Sequence, residues 1–247
     1  MTGPTSGIGR SFARRLAASG HDLVLVSRNR ERLTAQATEL ATTYGVHAEV
    51  IAADLGVREQ LAHVEDRVRD ATRPVALVVN NAGFGMRHPF LDNPVEAEQQ
   101  LLDTHVTATM RIMHAALGPM VDRGAGAVVN VSSVAGYLPR GTYSAAKAYV
   151  TSLSEWADLT YRDHGVRVMA LLPGFTRTEF HDRMDVAPDS APRWMWLAPD
   201  RVVDEGLRDL AAGRRVSIPS RRYRALAALA RSTPSTLQAR FQGLGRR

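Results

Sequence analysis

The sequence predicts an α/β protein in which a doubly wound parallel sheet lies between two layers of helices, a three-layer α/β/α arrangement. Short runs rich in Val, Leu, Ile and Ala alternate with longer helical stretches along the 247 residues. The short runs are apolar on both faces, which suits strands covered by helices on either side. A glycine-patterned loop opens the first helical stretch, in Thr2-Gly3-Pro4-Thr5-Ser6-Gly7-Ile8-Gly9. No internal repeat appears and no linker divides the chain, so residues 1–247 read as a single domain.

Strands are expected over Leu23–Ser27, Ala48–Ala53, Val75–Asn80, Ala127–Val131 and Val166–Leu172. Helices are expected over Gly7–Ser19, Arg30–Tyr44, Arg58–Ala71, Val95–Arg123 and Thr142–His164. In such a sheet, ligands bind beyond the carboxyl ends of the strands, at the point where the strand order reverses. From Arg214 the composition turns basic, and Tyr223–Arg231 reads as one more amphipathic helix in an extension over 214–247.

Composition narrows the function classes. No apolar run is long enough for a membrane-spanning helix, and no signal peptide is visible. The chain has no cysteine, which excludes disulfides, thiolate nucleophiles and cysteine-bound metals. No metal site is expected, and a cytoplasmic protein is. The formal charge of +6 is spread along the chain and reads as a solvated arginine-rich surface, not a nucleic-acid site.

Lys147 is the only lysine among 31 basic Lys and Arg residues. It follows Tyr143 by four positions, in Tyr143-Ser-Ala-Ala-Lys147. Lysine is a compact point charge where arginine is a wide planar fork, so a site that keeps it needs that shape. On a helix, residues four apart share a face. An ammonium beside a phenol favours phenolate and lowers the tyrosine pKa, which would make Tyr143 a proton donor and acceptor near neutral pH.

In the opening loop, Gly3, Gly7 and Gly9, with Thr5, Ser6 and Ile8 between them, would let backbone approach a pyrophosphate at a helix N-terminus. Such a loop follows a strand, yet here it follows only Met1.

Gly3…Gly7-Ile8-Gly9, Asn80-Asn81-Ala82-Gly83, Ser133, Tyr143…Lys147 and Pro173-Gly174 stand in the order and rough spacing of a known family. Over about residues 2–212 the chain resembles the short-chain dehydrogenase/reductase (SDR) family. The resemblance implies a Rossmann-type fold, a nicotinamide dinucleotide, and hydride transfer to or from a carbonyl or alcohol. It also implies a central first strand that is nearly absent here. Its loss would leave neighbouring backbone groups unpaired at roughly 1–3 kcal/mol each, so the natural protein is expected to start upstream of Met1. The in-frame codons before Met1 test this.

Arg28, after Ser27 at the tip of the strand Leu23–Ser27, suits a 2′-phosphate, and no acid stands there to take the 2′-hydroxyl of NAD. NADP(H) is therefore favoured over NAD(H). By resemblance, Asp54 and Leu55 contact the adenine, with a helix N-cap the other reading of Asp54. Asn81, Ala82 and Gly83 border the ribose. Pro173 and Gly174 border the nicotinamide, with Thr176 and Thr178 available for its carboxamide or the phosphates.

Among catalytic candidates, Tyr143 is the acid/base. Lys147 tunes it and by resemblance bridges the ribose hydroxyls. Ser133 bonds the reacting oxygen and is preferred to Ser132 because Ser133-Val134-Ala135-Gly136 matches the family's context. The family's active-site asparagine aligns with His105, which reads either as a proton relay or as an idle helix histidine. The long segment Phe175–Leu197 carries Phe180, Met184, Trp194, Met195 and Trp196. It reads as a lid for a bulky hydrophobic substrate or as packing at a subunit contact.

Three further expectations complete the reading. By resemblance, a homodimer or homotetramer forms on the helices Val95–Arg123 and Thr142–His164. Leu226, Leu229 and Ala230 beside arginines offer a second use of the C-terminus, as an anchor at a membrane surface. The rivals to a dehydrogenase are a catalytically impaired dinucleotide-binding or regulatory protein of the same fold and, ranked lower, an epimerase or dehydratase.

Overall fold

The structure, a computed structural model, describes residues 1–86, 88–182 and 192–232. Strands β1 (Leu23–Ser27), β2 (Ala48–Ala52), β3 (Leu77–Asn80), β4 (Gly126–Val131), β5 (Val166–Leu171) and β6 (Val216–Ser217) are all parallel. Between them run α1 (Gly7–Ala18), α2 (Arg30–Tyr44), α3 (Arg58–Arg69), α4 (Val95–Leu102), α5 (Ala108–Asp122) and α6 (Thr142–Tyr161). After β5 come the short α7 (Glu179–Asp182), α8 (Pro199–Ala211) and, beyond β6, α9 (Arg221–Ser232). No helix among the described residues is long and apolar enough to cross a membrane.

Side chains alternate across the sheet, as strand geometry requires. Leu25, Val79, Val129, Met169 and Leu171 pack on one face with Phe12 of α1, Leu33 and Leu40 of α2, and Val202 and Val203 of α8. Val26, Val78, Val128 and Val168 pack on the other with Leu61 and Val64 of α3, Ile112 and Met113 of α5, and Ala157 of α6. This is the expected three-layer arrangement, and it explains why the strands are apolar on both faces.

The sheet divides where the first strand was expected to be missing. One part has the order β1-β2 and the other β3-β4-β5-β6. Met1, Thr2 and Gly3 bridge them by backbone hydrogen bonds. The Thr2 amide donates to Val79, Gly3 donates to the Val26 carbonyl, and the Val26 amide donates to Met1. The Met1 amino group donates to the Val24 carbonyl at 2.6 Å.

Two helices depart from expectation. The stretch read as one helix over Val95–Arg123 contains a π-turn, Asp103–Thr107, between α4 and α5. Helix α8 was not anticipated. It begins with Pro199 in its first turn and buries Val202, Val203 and Gly206.

On the α3/α5 face, the buried Glu65 carboxylate accepts from Arg111 at 2.6 Å, Arg58 at 2.7 Å and Arg69 at 3.0 Å. These bonds, the one from Arg111 first, hold its pKa at about 2 against desolvation. A depressed carboxylate stabilises the fold above its unfolded pKa and loses that contribution as pH falls toward the folded one. Thermal melts should therefore show wild type losing stability between about pH 4.5 and 2. Glu65→Gln should be less stable at neutral pH by on the order of 2 kcal/mol, with a flatter acid limb. Equal acid slopes in the two proteins would contradict this role.

Candidate active site

One cavity of about 1140 Å³ lies along the carboxyl ends of β1, β3, β4 and β5. It gathers most of the residues singled out from the sequence. Gly3, Thr5, Ser6, Gly7 and Ile8 line it at one end, and Ser133, Tyr143 and Lys147 line it beside Pro173 and Gly174. Ser27, Arg28, Asp54, Leu55, Asn81, Ala82, Gly83, His105, Thr176 and Thr178 also reach it.

The glycine loop is built for close approach. Gly7 sits at φ +51°, where a side chain is strained, and a Cβ there would lie 2.6 Å from Thr178 Cγ2. Gly9 is placed differently from the expectation. It does not line the cavity but packs behind the loop, where a Cβ would strike the Gly3 carbonyl. Asn81 staples the loop to the end of β3, its Nδ2 donating to the Gly3 carbonyl at 2.9 Å and to Thr2 at 3.2 Å.

At the tip of β1, Ser27 Oγ is buried without a partner among the described residues. The Arg28 guanidinium is two-thirds exposed and stands 3.9 Å from Asp54 Oδ2. Asp54 Oδ1 accepts from the Gly56 amide at 2.9 Å. Asp54 thus shapes a turn and does not cap α3, whose N-cap is Val57. An unpartnered hydroxyl and an accessible guanidinium side by side fit a phosphate group.

Helix α6 carries the chemistry. Lys147 is buried, and its ammonium donates to the Val131 carbonyl at the end of β4, at 2.7 Å. Tyr143 lies one turn earlier, near the Ser133 hydroxyl, which draws the phenol pKa down. Ser133 Oγ also accepts from the Ala135 amide at 3.1 Å. Ser132 points away, bonding the Lys147 carbonyl at 2.7 Å and Thr151 at 2.8 Å. It fixes helix to strand and leaves the reacting position to Ser133.

The electrostatics correct one expectation. Burial pushes the Tyr143 phenol up to about 12, and the Ser133 hydrogen bond lowers it only in part. Lys147 does not bring it toward neutrality. The ammonium lies 5.7 Å from the phenol ring centre, and burial lowers its own pKa to about 7. Desolvation outweighs charge attraction for both groups. Tyr143 is therefore a protonated phenol near neutral pH.

His105 sits in the π-turn, fully buried, with its ring 5.5 Å from that of Tyr143 in an edge-on contact. Its Nε2 lies 2.9 Å from the Phe84 amide and 2.8 Å from the Phe84 carbonyl. Gly83 makes this approach possible, since a Cβ there would collide with the imidazole. Burial first, then Lys147, holds the His105 pKa well below 6.5, so the ring is neutral at physiological pH. A relay based on its titration near neutrality does not fit. What fits is a neutral imidazole that clamps the loop after β3, with Nδ1 buried and unpartnered among the described residues.

The segment read as a lid divides. Phe180 and Met195 line the cavity, Phe180 with its ring 5.8 Å from Tyr143. Trp196 packs on Phe175, and Trp194 stacks under Arg222 outside the cavity. Met184 lies outside the described residues. Sequence reasoning missed Phe84, the partner of His105. It missed Tyr223 as well, whose spacing to Leu226, Ala227 and Ala230 marks one helical face. The stripe read as a membrane anchor, Leu226, Leu229 and Ala230, lines this cavity.

Residues 1–187 match the family model described as short chain dehydrogenase. Sulfoacetaldehyde reductase 2 of Chromohalobacter salexigens is 37% identical over 185 residues, which cover 73% of this chain and 73% of that protein. A short-chain dehydrogenase from Sphingobium yanoikuyae, solved in complex with NADPH, superposes with a TM-score of 0.86 at 36% identity, over 93% of this chain and 91% of its own. The bulky-bulky ketone specific alcohol dehydrogenase of Comamonas testosteroni gives 0.81 at 31% identity, over 93% and 90%. The chain therefore belongs to the short-chain dehydrogenase family of oxidoreductases, which act between alcohol and carbonyl groups.

Proposed function

We propose that the protein is an NADP(H)-dependent reductase of a bulky, hydrophobic carbonyl compound, working between that carbonyl and its secondary alcohol. The observation that carries this reading is the convergence of Ser133, Tyr143 and Lys147 in one cavity with the glycine loop. When bound, a nicotinamide dinucleotide would supply or accept the hydride. Gly3, Thr5, Ser6, Gly7 and Ile8 would hold its phosphates, Asp54 and Leu55 its adenine, and Asn81, Ala82, Gly83 and Lys147 its ribose region. Pro173, Gly174, Thr176 and Thr178 would border the nicotinamide.

The roles of the chain's own groups follow from their states. A phenol with pKa about 12 is charged with its proton near neutrality, so Tyr143 acts as the acid toward a carbonyl oxygen that gains electron density. Ser133, near the phenol, donates to the same oxygen. The Lys147 ammonium offsets the negative charge left on Tyr143. Neutral His105 keeps the Phe84 loop against the cavity and adds no competing charge. This intact set favours an enzyme over a catalytically impaired binding protein.

Preference for NADP(H) is supported by Arg28 and the unpartnered Ser27 hydroxyl at the β1 tip, and by the NADPH in the Sphingobium relative. A bulky apolar substrate is supported by Phe90, Leu138, Phe180, Met195 and Leu226 in the cavity wall, and by the ketone specificity named for the Comamonas enzyme. Assembly as a homodimer or homotetramer belongs to the same reading. Tyr149, Trp156 and Leu159 are exposed on one face of α6, and Met110 is exposed on α5.

Two outcomes test this. Arg28→Asp should weaken NADPH binding by about 2 kcal/mol or more while leaving NADH binding nearly unchanged; fluorescence titration of both cofactors measures it, and equal losses would contradict the preference. Lys147 carries its charge below about pH 7 and loses it above. The kcat/KM for NADPH, which reports the free enzyme, should therefore fall on the alkaline side with an inflection near that pH. Lys147→Arg should remove this inflection while lowering the rate by about a hundredfold. An unchanged inflection would assign it to another group.

A further inference from the structure

A second, smaller pocket of about 330 Å³ is built from the turn Arg193–Met195 and the start of α9. Met195 and Tyr223 of these two segments line the main cavity, while Arg193, Trp194, Arg221 and Arg222 line this one. Its walls carry four arginines, Arg193, Arg201, Arg221 and Arg222, and no acid among the described residues. One of them is matched: Arg201 Nε donates to Glu205 at 2.8 Å. The other Glu205 oxygen accepts from the Ser220 amide at 2.8 Å. Arg193, Arg221 and Arg222 have no acidic partner among the described residues. The Arg222 guanidinium lies 5.8 Å from the Trp194 ring centre and donates to the Trp194 carbonyl at 3.4 Å, which holds it at the pocket wall.

Ser220 marks the same place independently. It is buried, at 4% exposure, yet it lines the pocket, and its hydroxyl has no hydrogen-bond partner among the described residues. It is also the one non-glycine among them with a positive φ, +77°. A serine before a helix ordinarily takes an extended backbone and caps the first amides. Ser220 does neither. The Arg224 amide makes the first helical bond of α9, to the Ser220 carbonyl at 3.1 Å. No acid stands in the first turn. The helix therefore opens with uncapped amides and an unspent hydroxyl beside three guanidinium groups, and a strained backbone holds that arrangement.

We propose that this pocket binds a phosphate monoester, with the phosphate on Arg193, Arg221, Arg222 and Ser220 and the organic part against Trp194 and Trp196. A dianionic phosphate has the charge to meet guanidinium groups that no acid matches, and each can offer it paired N–H donors. The Ser220 hydroxyl supplies one more donor. The two indoles and Leu197 make the remaining wall apolar, which suits an ester better than a bare ion. The site is separate from the cavity that holds Ser133, Tyr143 and Lys147, and it does not depend on the reductase reading.

Calorimetry on the full chain tests this, with NADP⁺ in excess to fill the main cavity and phenyl phosphate, inorganic phosphate and phenol as probes. Phenyl phosphate should bind about fivefold or more tightly than inorganic phosphate, and phenol should not bind. Arg193→Gln and Arg221→Gln should each weaken phenyl phosphate by about tenfold. Ser220→Gly should weaken it by about fivefold without lowering Tm, since glycine accepts the positive φ. Arg14→Gln removes an equal charge from a surface pair with Glu39 and should change the affinity by less than about twofold. Co-sedimentation with phosphatidylcholine vesicles containing phosphatidic acid separates the sources of the ester. Retention that Arg221→Gln abolishes would mark a lipid headgroup, and phenyl phosphate binding without retention would mark a soluble ester; either supports the proposal. Equal losses in Arg14→Gln and Arg221→Gln, equal affinity for the two phosphates, or no binding of either phenyl phosphate or the vesicles would overturn it.

Discussion

A buried ammonium with one fixed acceptor organises this site. Lys147 spends a hydrogen bond on the Val131 carbonyl at the carboxyl end of β4. Its own carbonyl receives the hydroxyls of Ser132 and Thr151. Together these bonds set the register of α6 against the sheet edge. Tyr143 then falls one turn before Lys147, and Ser133 at the strand's end meets the phenol. Arginine could not serve here, because a planar fork with five donors would find one carbonyl and leave the rest unpaired in a desolvated place. This accounts physically for the single lysine in a chain that otherwise uses arginine.

The same burial sets the resting protonation of the site. Desolvation raises the phenol and lowers the ammonium, which puts the resting proton on Tyr143. His105 extends the pattern. A second cation beside Lys147 would be repelled, and the π-turn, the Gly83 approach and the Phe84 backbone hold the imidazole as a neutral group. The Lys147 ammonium thus stays close to the Tyr143 phenol, 5.7 Å from its ring centre.

Much of the fold was legible because strands buried on both faces have a distinct composition. Leu23–Ser27 and Arg30–Tyr44 match their expected bounds, and the other early elements differ by a few residues at most. The π-turn was not legible, since one extra residue in a turn scarcely alters apolar periodicity over a helix as long as Val95–Arg123. Helix α8 carried signals that went unused, with Pro199 and Asp200 in its first turn and Val202 and Val203 for the core. At the site, residue types and spacings pointed to Ser133, Tyr143 and Lys147 as neighbours. Their protonation states were not legible, because these depend on burial that no spacing reveals. Tyr223 was hidden for a related reason: its partners, Phe175 and Met195, are distant in sequence, and both offer only backbone.

The central claim is that the Tyr143 phenol supplies the proton while the rest of the site only binds and orients. Single-turnover oxidation of bound NADPH by a ketone, followed in wild type and Tyr143→Phe, tests it most directly. The account predicts a loss of about a hundredfold to ten-thousandfold in the chemical step with NADPH affinity unchanged. Equal single-turnover rates in the two proteins would contradict it.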